Sequence, residues 1–356
     1  MPSHTRPTLA SVAALAGVSP STASLAFAGS ARVTPDTRQR VFTAAQELGY
    51  AGPDPLAASL RRRRTGVVGT FVGERLLYAF RDPEAIQLLD GITEVLSPHG
   101  VGLLLLAGDA GRPAQEQLAR IPLDAAIFAT CGLADDPALA LLQRRAVPVV
   151  VVEGPVMDGL PLIDIDDRRG TAELAGHLRG LGHRRVAAVT MPLRLDGTRG
   201  LVSADRQAAG MYRVVLKRLA GVTDVFGPVP AMETASNVVD EGVRAGRALL
   251  DVPAARRPTA ILAQSDLLAA GVLRAASELG LRVPEDVSVA GFDGADLPWL
   301  RPTVLSTVVQ PSDEKGRTAA RAVLDLLAGR QPTDVTLPVW MRVGTTTGPV
   351  PDSVQA

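Results

Sequence analysis

Val18-Ser19-Pro20-Ser21-Thr22-Ala23-Ser24-Leu25 decides how this chain is read. Ser19 is placed as a helix N-cap, and Pro20 takes the first helical position, where a missing N–H costs nothing. Upstream, Thr8 caps a second candidate helix. Leu9, Val12 and Ala13 recur along it at helical spacing. Ala16-Gly17-Val18 joins the two as a tight turn, with Gly17 free to take a left-handed backbone. Downstream, Thr34-Pro35-Asp36 repeats the start signal for a third helix. That helix carries Val41, Ala44, Ala45 and Leu48 inward and stops at Gly49. Three short helices in this order form a helix-turn-helix, a unit that lays its second helix in the DNA major groove.

Working outward, charge separates this head from the rest. The 356 residues sum to zero formal charge. Residues 1–64 nevertheless hold eight arginines against Asp36, Glu47 and Asp54, a net +5 that leaves −5 for the remainder. A basic head on an acidic body directs the head at a polyanion. Gly52, Pro53 and Pro55 interrupt the helical pattern. Asp54-Pro55 then restarts a helix of roughly two turns, too short to be stable alone and suited to folding on a partner. Arg61 to Arg64 follow, either as phosphate contacts or as a solvated charge run.

From Gly66 the pattern becomes apolar runs of five or six residues alternating with helical segments. Val67–Val72, Gly102–Leu106, Ala125–Ala129 and Val147–Val152 read as strands of one series. Val186–Val189, Thr259–Ala263 and Val287–Phe292 read as strands of a second. Helices are expected at Glu84–Leu96, Thr171–Leu181, Asp205–Leu219, Asn237–Leu250 and Asp266–Leu279. Such alternation implies parallel sheets covered on both faces. The expected fold is therefore an all-α helix-turn-helix head plus an α/β core of two parallel-sheet lobes. Ligands of such sheets sit beyond the strand C-termini. The expected division is a head over 1–50, a hinge helix and basic linker over 51–64, a two-lobe core over 65–346 and a disordered tail over 347–356.

Composition narrows the function classes. The single cysteine, Cys131, excludes an internal disulfide and a cysteine-rich metal site. His4, His99, His177 and His183 show no metal-ligand spacing. His177 reads as a helix-surface residue, His183 as one just past a helix-ending glycine. No dinucleotide fingerprint, phosphate loop or nucleophile elbow appears, so neither a cofactor nor an enzymatic reaction is expected. No apolar run is long enough to span a membrane, and the N-terminus lacks the pattern of an export signal. A cytoplasmic location is expected. The alternatives on the same core, a transporter's solute-binding protein or an enzyme, lack an export signal and a catalytic motif respectively.

The sequence resembles the lactose-repressor (LacI/GalR) family of bacterial transcription regulators over nearly its whole length. The resemblance rests on Thr8 to Ser19, Arg32-Val33-Thr34-Pro35-Asp36-Thr37-Arg38, Leu48-Gly49-Tyr50, Leu181 to Val186, Asp266 to Gly271 and Leu279 to Asp293. It implies a homodimer on a double-stranded, pseudopalindromic operator, with hinge helices and a periplasmic-binding-protein-like core that binds a small-molecule effector. Repressor activity is the family default. Pro20, Ser21 and Leu25 then match base-reading positions. Ser19, Thr22 and Ser24 match phosphate contacts, and Arg32 and Arg61 complete the DNA-facing set. Leu60 matches a leucine that wedges between bases in the minor groove. Leu25 stands where relatives often carry arginine, and Ala28 where asparagine is usual. Leu25 offers apolar contact to a thymine methyl or packs inward.

Positions matching effector contacts are Asp82, Glu84, Glu153, Arg206, Ser265, Asp266 and Asp293. Carboxylates with an arginine suit a hydroxyl-rich ligand such as a sugar or polyol. Glu84-Ala85, Val238 and Ser312 stand where relatives carry aromatics, so the cleft is expected to lack a stacking platform. A charged or phosphorylated metabolite therefore stays open as an alternative.

Overall fold

The computed structural model describes residues 7–52, 64–72, 76–107, 116, 118–129 and 136–350. The chain forms two compact units, Met1–Gly66 and Val67–Ala356.

In the first unit, local hydrogen bonds start each helix where the capping residues predict. Helix α1 spans Leu9–Leu15. Thr8 Oγ1 accepts from Ser11 N, and Ser11 Oγ accepts from Thr8 N, closing a reciprocal cap. Ser19 caps α2 (Pro20–Phe27) through the Thr22 N–H, and Thr34 caps α3 (Pro35–Glu47) through the Thr37 N–H. Gly17 turns the chain between α1 and α2 at φ +66°. The core is small and alanine-rich: Val12, Ala13, Ala23, Ala26, Val41, Ala44 and Ala45. Small side chains let the three helices approach closely. Phe27 then closes one end, edge-on to Phe42 and Tyr50 at ring distances of 5.4 and 5.7 Å.

The second unit holds two sheets. The first lobe is built from β1 (Val67–Val72), α4 (Leu76–Ala79), α5 (Pro83–Leu96), β2 (Gly102–Leu106), β3 (Ala125–Ala129), α6 (Pro137–Arg144), β4 (Val149–Val152) and β5 (Leu162–Ile165). The second lobe continues with α7 (Asp167–Gly180), β6 (Val186–Thr190), β7 (Gly200–Leu201), α8 (Ala204–Ala208), α9 (Arg213–Phe226), β8 (Ala231–Glu233), α10 (Val239–Leu250), β9 (Ala260–Ala263), α11 (Asp266–Glu278), β10 (Ser288–Asp293) and β11 (Ser306–Val309). The chain then returns to the first lobe with α12 (Ser312–Leu327) and β12 (Val335–Leu337), and crosses back with β13 (Trp340–Arg342).

The first sheet is parallel, in the order β12-β5-β4-β3-β1-β2. The second runs β13-β11-β10-β9-β6-β8-β7, with β13 and β7 antiparallel at its edges. The return has a packing cause. Ala319, Ala320, Ala322 and Val323 of α12 join Ile92, Ile127 and Val150 in the first lobe's core. Helix α12 presses onto α5 so tightly that a Cβ on Gly316 would lie 2.1 Å from Leu88 O.

Three expectations change. The helix expected over Asp205–Leu219 is two helices, α8 and α9, broken around Gly210. There a Cβ would fall 2.9 Å from Leu216 Cδ2. The expected disordered tail is ordered through Val350: Thr346 is fully buried, and Val350 N donates to Leu181 O at 3.0 Å. Its backbone extends the hydrogen bonding of the second lobe, since Thr346 O accepts from Val289 N. His183 is a buried core residue whose two ring nitrogens lie 2.9 Å from Thr259 Oγ1 and 3.0 Å from Gly348 O. It therefore helps hold the segment that was expected to be loose.

Candidate functional site

The residues expected to read DNA lie on the outer face of α2. Ala23 and Ala26 face the head's core, whereas Pro20, Ser21, Leu25 and Ala28 are exposed. Leu25 is 38% exposed, so it faces out and does not pack inward. Ser19 Oγ lies 2.8 Å from both Ser21 Oγ and Thr22 Oγ1, clustering three hydroxyls at the helix N-terminus. That end presents backbone N–H groups and a positive dipole, which suits phosphate. Ser24 is half-buried on the same helix, and Arg32 is exposed in the following loop. Arg38 Nη2 braces that loop by donating to Ser30 O at 2.9 Å. Leu60 and Arg61, with the expected hinge helix, lie outside the described residues.

The second site is a cavity of about 470 Å³ between the lobes of the core. It opens beyond the C-terminal ends of the strands. Val72 ends β1 and Ala129 ends β3, Glu153 follows β4, and Asp293 ends β10. Of the seven residues expected to meet an effector, Asp82, Glu84, Glu153 and Asp293 line it. Glu153 and Asp293 are two non-glycine residues with positive φ, at +51° and +121°. Backbone held in such sparsely populated regions concentrates at ligand sites.

Two buried cations organise these acids. Lys315, near the start of α12, is fully buried. Its Nζ donates to Glu84 Oε1 at 2.7 Å, to Gln310 Oε1 at 2.6 Å and to Glu153 Oε2. Arg218 of α9 donates through Nε to Asp167 Oδ1 at 2.8 Å and through Nη1 to Gln264 O at 2.6 Å. Its guanidinium lies 3.6 Å over the Phe292 ring. Gln310 Nε2 closes the circuit on Asp293 Oδ1 at 2.7 Å. Asp82 caps α5 and accepts from Asn237 Nδ2 of the opposite lobe at 3.3 Å.

Burial dominates the protonation of this cluster. It pushes the Asp82 carboxyl up to about 6, with the Glu84 charge adding to the effect. Burial also raises Glu153, against the pull of Lys315, and drives Asp293 well above the usual carboxylate range, against the pull of Arg218. For Glu84 burial pushes the same way, but the Lys315 ammonium outweighs it and holds the carboxyl low. Burial disfavours the Lys315 charge, yet Glu153 and Glu84 together raise its pKa.

The other three expected effector residues stand elsewhere. Arg206 is not among the cavity-lining residues. Its guanidinium is bidentate to Glu233 at 2.8 Å and also holds Asp196 at 2.7 and 2.8 Å. Ser265 caps α11 and donates to Asn237 Oδ1, so it supports a cavity residue from behind. Asp266 is fully buried and accepts from Thr307 Oγ1 at 2.6 Å and Ala295 N at 2.8 Å, bracing the loop after Asp293. Burial pushes its carboxyl up to about 7.

Sequence reasoning missed Lys315, Arg218, Gln310 and Asn237. It also wrongly emptied the cleft of aromatics, because Tyr212 and Trp299 line the cavity, and Trp299 is 60% exposed. The signal for Lys315 was available: it is one of only two lysines, and it sits among small residues on a helix face.

The comparisons with known proteins agree with this geometry. Residues 8–52 match the model for bacterial regulatory proteins of the lacI family, and residues 175–347 match a periplasmic binding protein-like domain. A helix-turn-helix-type transcriptional regulator of Mycobacterium tuberculosis is 35% identical over 355 residues, covering 97% of this chain and 98% of that protein. The structure of a transcriptional regulator CelR–cellobiose complex aligns with a TM-score of 0.68 at 29% identity, covering 96% of this chain and all of that one. The lac repressor dimer bound to operator and an anti-inducer shares the fold, with a TM-score of 0.78 at 24% identity over 96% of this chain and 99% of that one. The chain belongs to the lacI family of bacterial transcription regulators. It is a regulator with a DNA-binding head and a periplasmic-binding-protein-like core, not an enzyme.

Proposed function

We propose that this regulator acts as a homodimeric repressor on a pseudopalindromic operator in the cytoplasm, under the control of a hydroxyl-rich metabolite bound between the lobes. The observation that carries the reading is the cavity itself. Glu84 and Glu153 from one lobe face Asp293 and Asn237 from the other across it. A ligand there contacts both lobes, so its binding free energy depends on the angle between them, which is what coupling to DNA requires. Carboxylates accept from hydroxyls, and Tyr212 and Trp299 supply apolar faces of the kind that line sugar sites. The bound cellobiose of the CelR complex supports this ligand class. Ser19, Thr22 and Ser24 hold phosphates in this reading, and Pro20, Ser21 and Leu25 meet base edges. Arg32, Leu60 and Arg61 extend the contact beyond α2. With Leu25 in place of a bidentate side chain, much of the discrimination falls to the Leu60 wedge and the dimer spacing.

The test is a pair of measurements. Removing residues 1–64 should abolish operator binding in an anisotropy assay while ligand binding persists; retained operator affinity would refute the role of the head. A melting screen against sugars, polyols, nucleosides and amino acids identifies the effector. A ligand at 100 times its Kd adds about 2.7 kcal/mol.

A further inference from the structure

We propose that α2 chooses its DNA by thymine: Leu25, flanked by Pro20 and Ala28, forms an apolar face that docks on thymine C5-methyl groups in the major groove and selects A·T pairs there. The choice of base rests on the reading of α2 as the recognition helix and deepens it.

Ala23 and Ala26 turn to the head's core. At about 100° of helical rotation per residue, Pro20, Ser21, Ser24, Leu25 and Ala28 fall within one arc of roughly 140° on the opposite side. Leu25 is the largest side chain on that arc, and it is 38% exposed. Major-groove edges are told apart mainly by side chains that hydrogen-bond them in pairs: arginine or lysine on guanine, asparagine or glutamine on adenine, and acids on cytosine. Helix α2 contains none of these residue types. Ser21 Oγ lies 2.8 Å from Ser19 Oγ in the cap cluster. A hydroxyl both donates and accepts, so Ser21 suits any base edge and selects none.

The thymine methyl is the one apolar feature that the major groove displays. A leucine pressed against any other edge would strip water from donors and acceptors and give them no partner. Against the methyl it removes apolar surface from water at no such cost. The neighbours on the arc are proline, serine and alanine, so no long side chain holds the helix away from the bases. The longer donors of the described head stand elsewhere. Arg38 Nη2 donates to Ser30 O at 2.9 Å, and Arg40 pairs with Asp36 at 3.5 Å. Arg32 follows in the loop, and Gln39 and Gln46 stand on α3.

The full-length protein and its Leu25→Ala variant are each used to select binding sites from random DNA duplexes. The base pair at which the native preference relaxes in the variant is the one Leu25 meets. The expected result is an A·T pair at that place in both half-sites. Deoxyuridine in place of that thymine removes only the methyl. It should weaken binding by the native protein about fourfold per methyl and leave the Leu25→Ala protein unaffected, which is the coupling a double-mutant cycle reads. 5-Methylcytosine, which carries its methyl at the same ring position, should bind the native protein about fourfold more tightly than cytosine at that pair. A G·C pair selected there, no relaxed pair, or equal losses from deoxyuridine in the two proteins overturns the proposal and keeps the regulator reading. Deoxyuridine throughout the selected site gives a readout on the native protein alone, and unchanged affinity overturns the proposal again. Enrichment of no sequence by the native protein removes the reading of the head as well.

Discussion

Lys217 Nζ, on α9 of the second lobe, donates to Asp164 Oδ2, on β5 of the first, at 2.8 Å. Arg213, one turn earlier on α9, reaches the same oxygen at 3.2 Å and also donates to Gly154 O. The next residue after Lys217 is Arg218, which enters the effector cluster. One rigid helix therefore touches both the lobe interface and the cleft. Asp164→Asn should lower stability by about 1 kcal/mol or less, because both cations are partly solvated. Ligand affinity should change by roughly threefold or more, a differential interaction of about 0.65 kcal/mol or more. Calorimetric titration of the variant checks this, and an unchanged Kd removes α9 from the coupling.

Helix α12 lies against α5 at glycine. Gly316→Ala would place a methyl 2.1 Å from Leu88 O, and Gly91→Ala would place one 1.9 Å from Asp313 O. Backbone cannot yield cheaply, so each should cost about 2–4 kcal/mol and several degrees of Tm. Gly176→Ala on α7 meets nothing within 4 Å and should be neutral or stabilising by up to about 1 kcal/mol. Equal melting temperatures for the Gly316 and Gly176 variants would show that the two helices are not in contact.

Two carboxyls titrate against folding. The Asp82 and Asp266 pKa values are raised by burial to about 6 and about 7. A folded pKa above the unfolded one means that the native chain binds more protons between the two values. The stabilisation from these groups is complete below pH 4 and is lost as pH rises through 6 and 7. Asp82→Asn should therefore show a smaller loss of stability than the native chain between pH 4 and 6.5. Urea midpoints across that range check it; parallel curves would mean that Asp82 does not titrate there.

On the head, Leu25 is exposed and Ser19 caps α2. Leu25→Ala should leave stability within about 0.5 kcal/mol while weakening operator binding. Ser19→Ala should cost about 1 kcal/mol of head stability as well as operator affinity. Anisotropy and melting on the same samples separate the two effects. A Leu25→Ala protein with native operator affinity would remove that side chain from the recognition surface.

The head was legible because its signals act over three or four residues. Thr8, Ser19 and Thr34 each cap a helix through a hydrogen bond to a near neighbour, and alanine at the inward positions already states how closely the helices pack. The alternation of apolar strands and helices likewise announced parallel sheets. The strand Leu162–Ile165 escaped because Asp164 interrupts its apolar run, and that aspartate is held by Lys217 from the other lobe. The return of α12 and β12 escaped because β12 pairs with β5 at Val335–Ile163, far apart in the chain.

The acids of the cleft could be placed at strand ends, but not their states or partners. Arg206 and Arg218 look alike in the sequence; one pairs with Asp196 and Glu233 outside the cavity, and the other is buried at its centre. Asp266 caps nothing in the cleft and serves a loop, while Lys315 reads as one more charge near a helix start. The sequence alone determined the helix-turn-helix, the two-lobe α/β class and the family, because caps, periodicity and motif spacing are local. Only the tertiary structure decided which charges lose water and which partners replace it. Desolvation depends on what packs from every side, and at Lys315 those groups come from Glu84, Glu153 and Gln310, brought together by helices that glycine allows to touch.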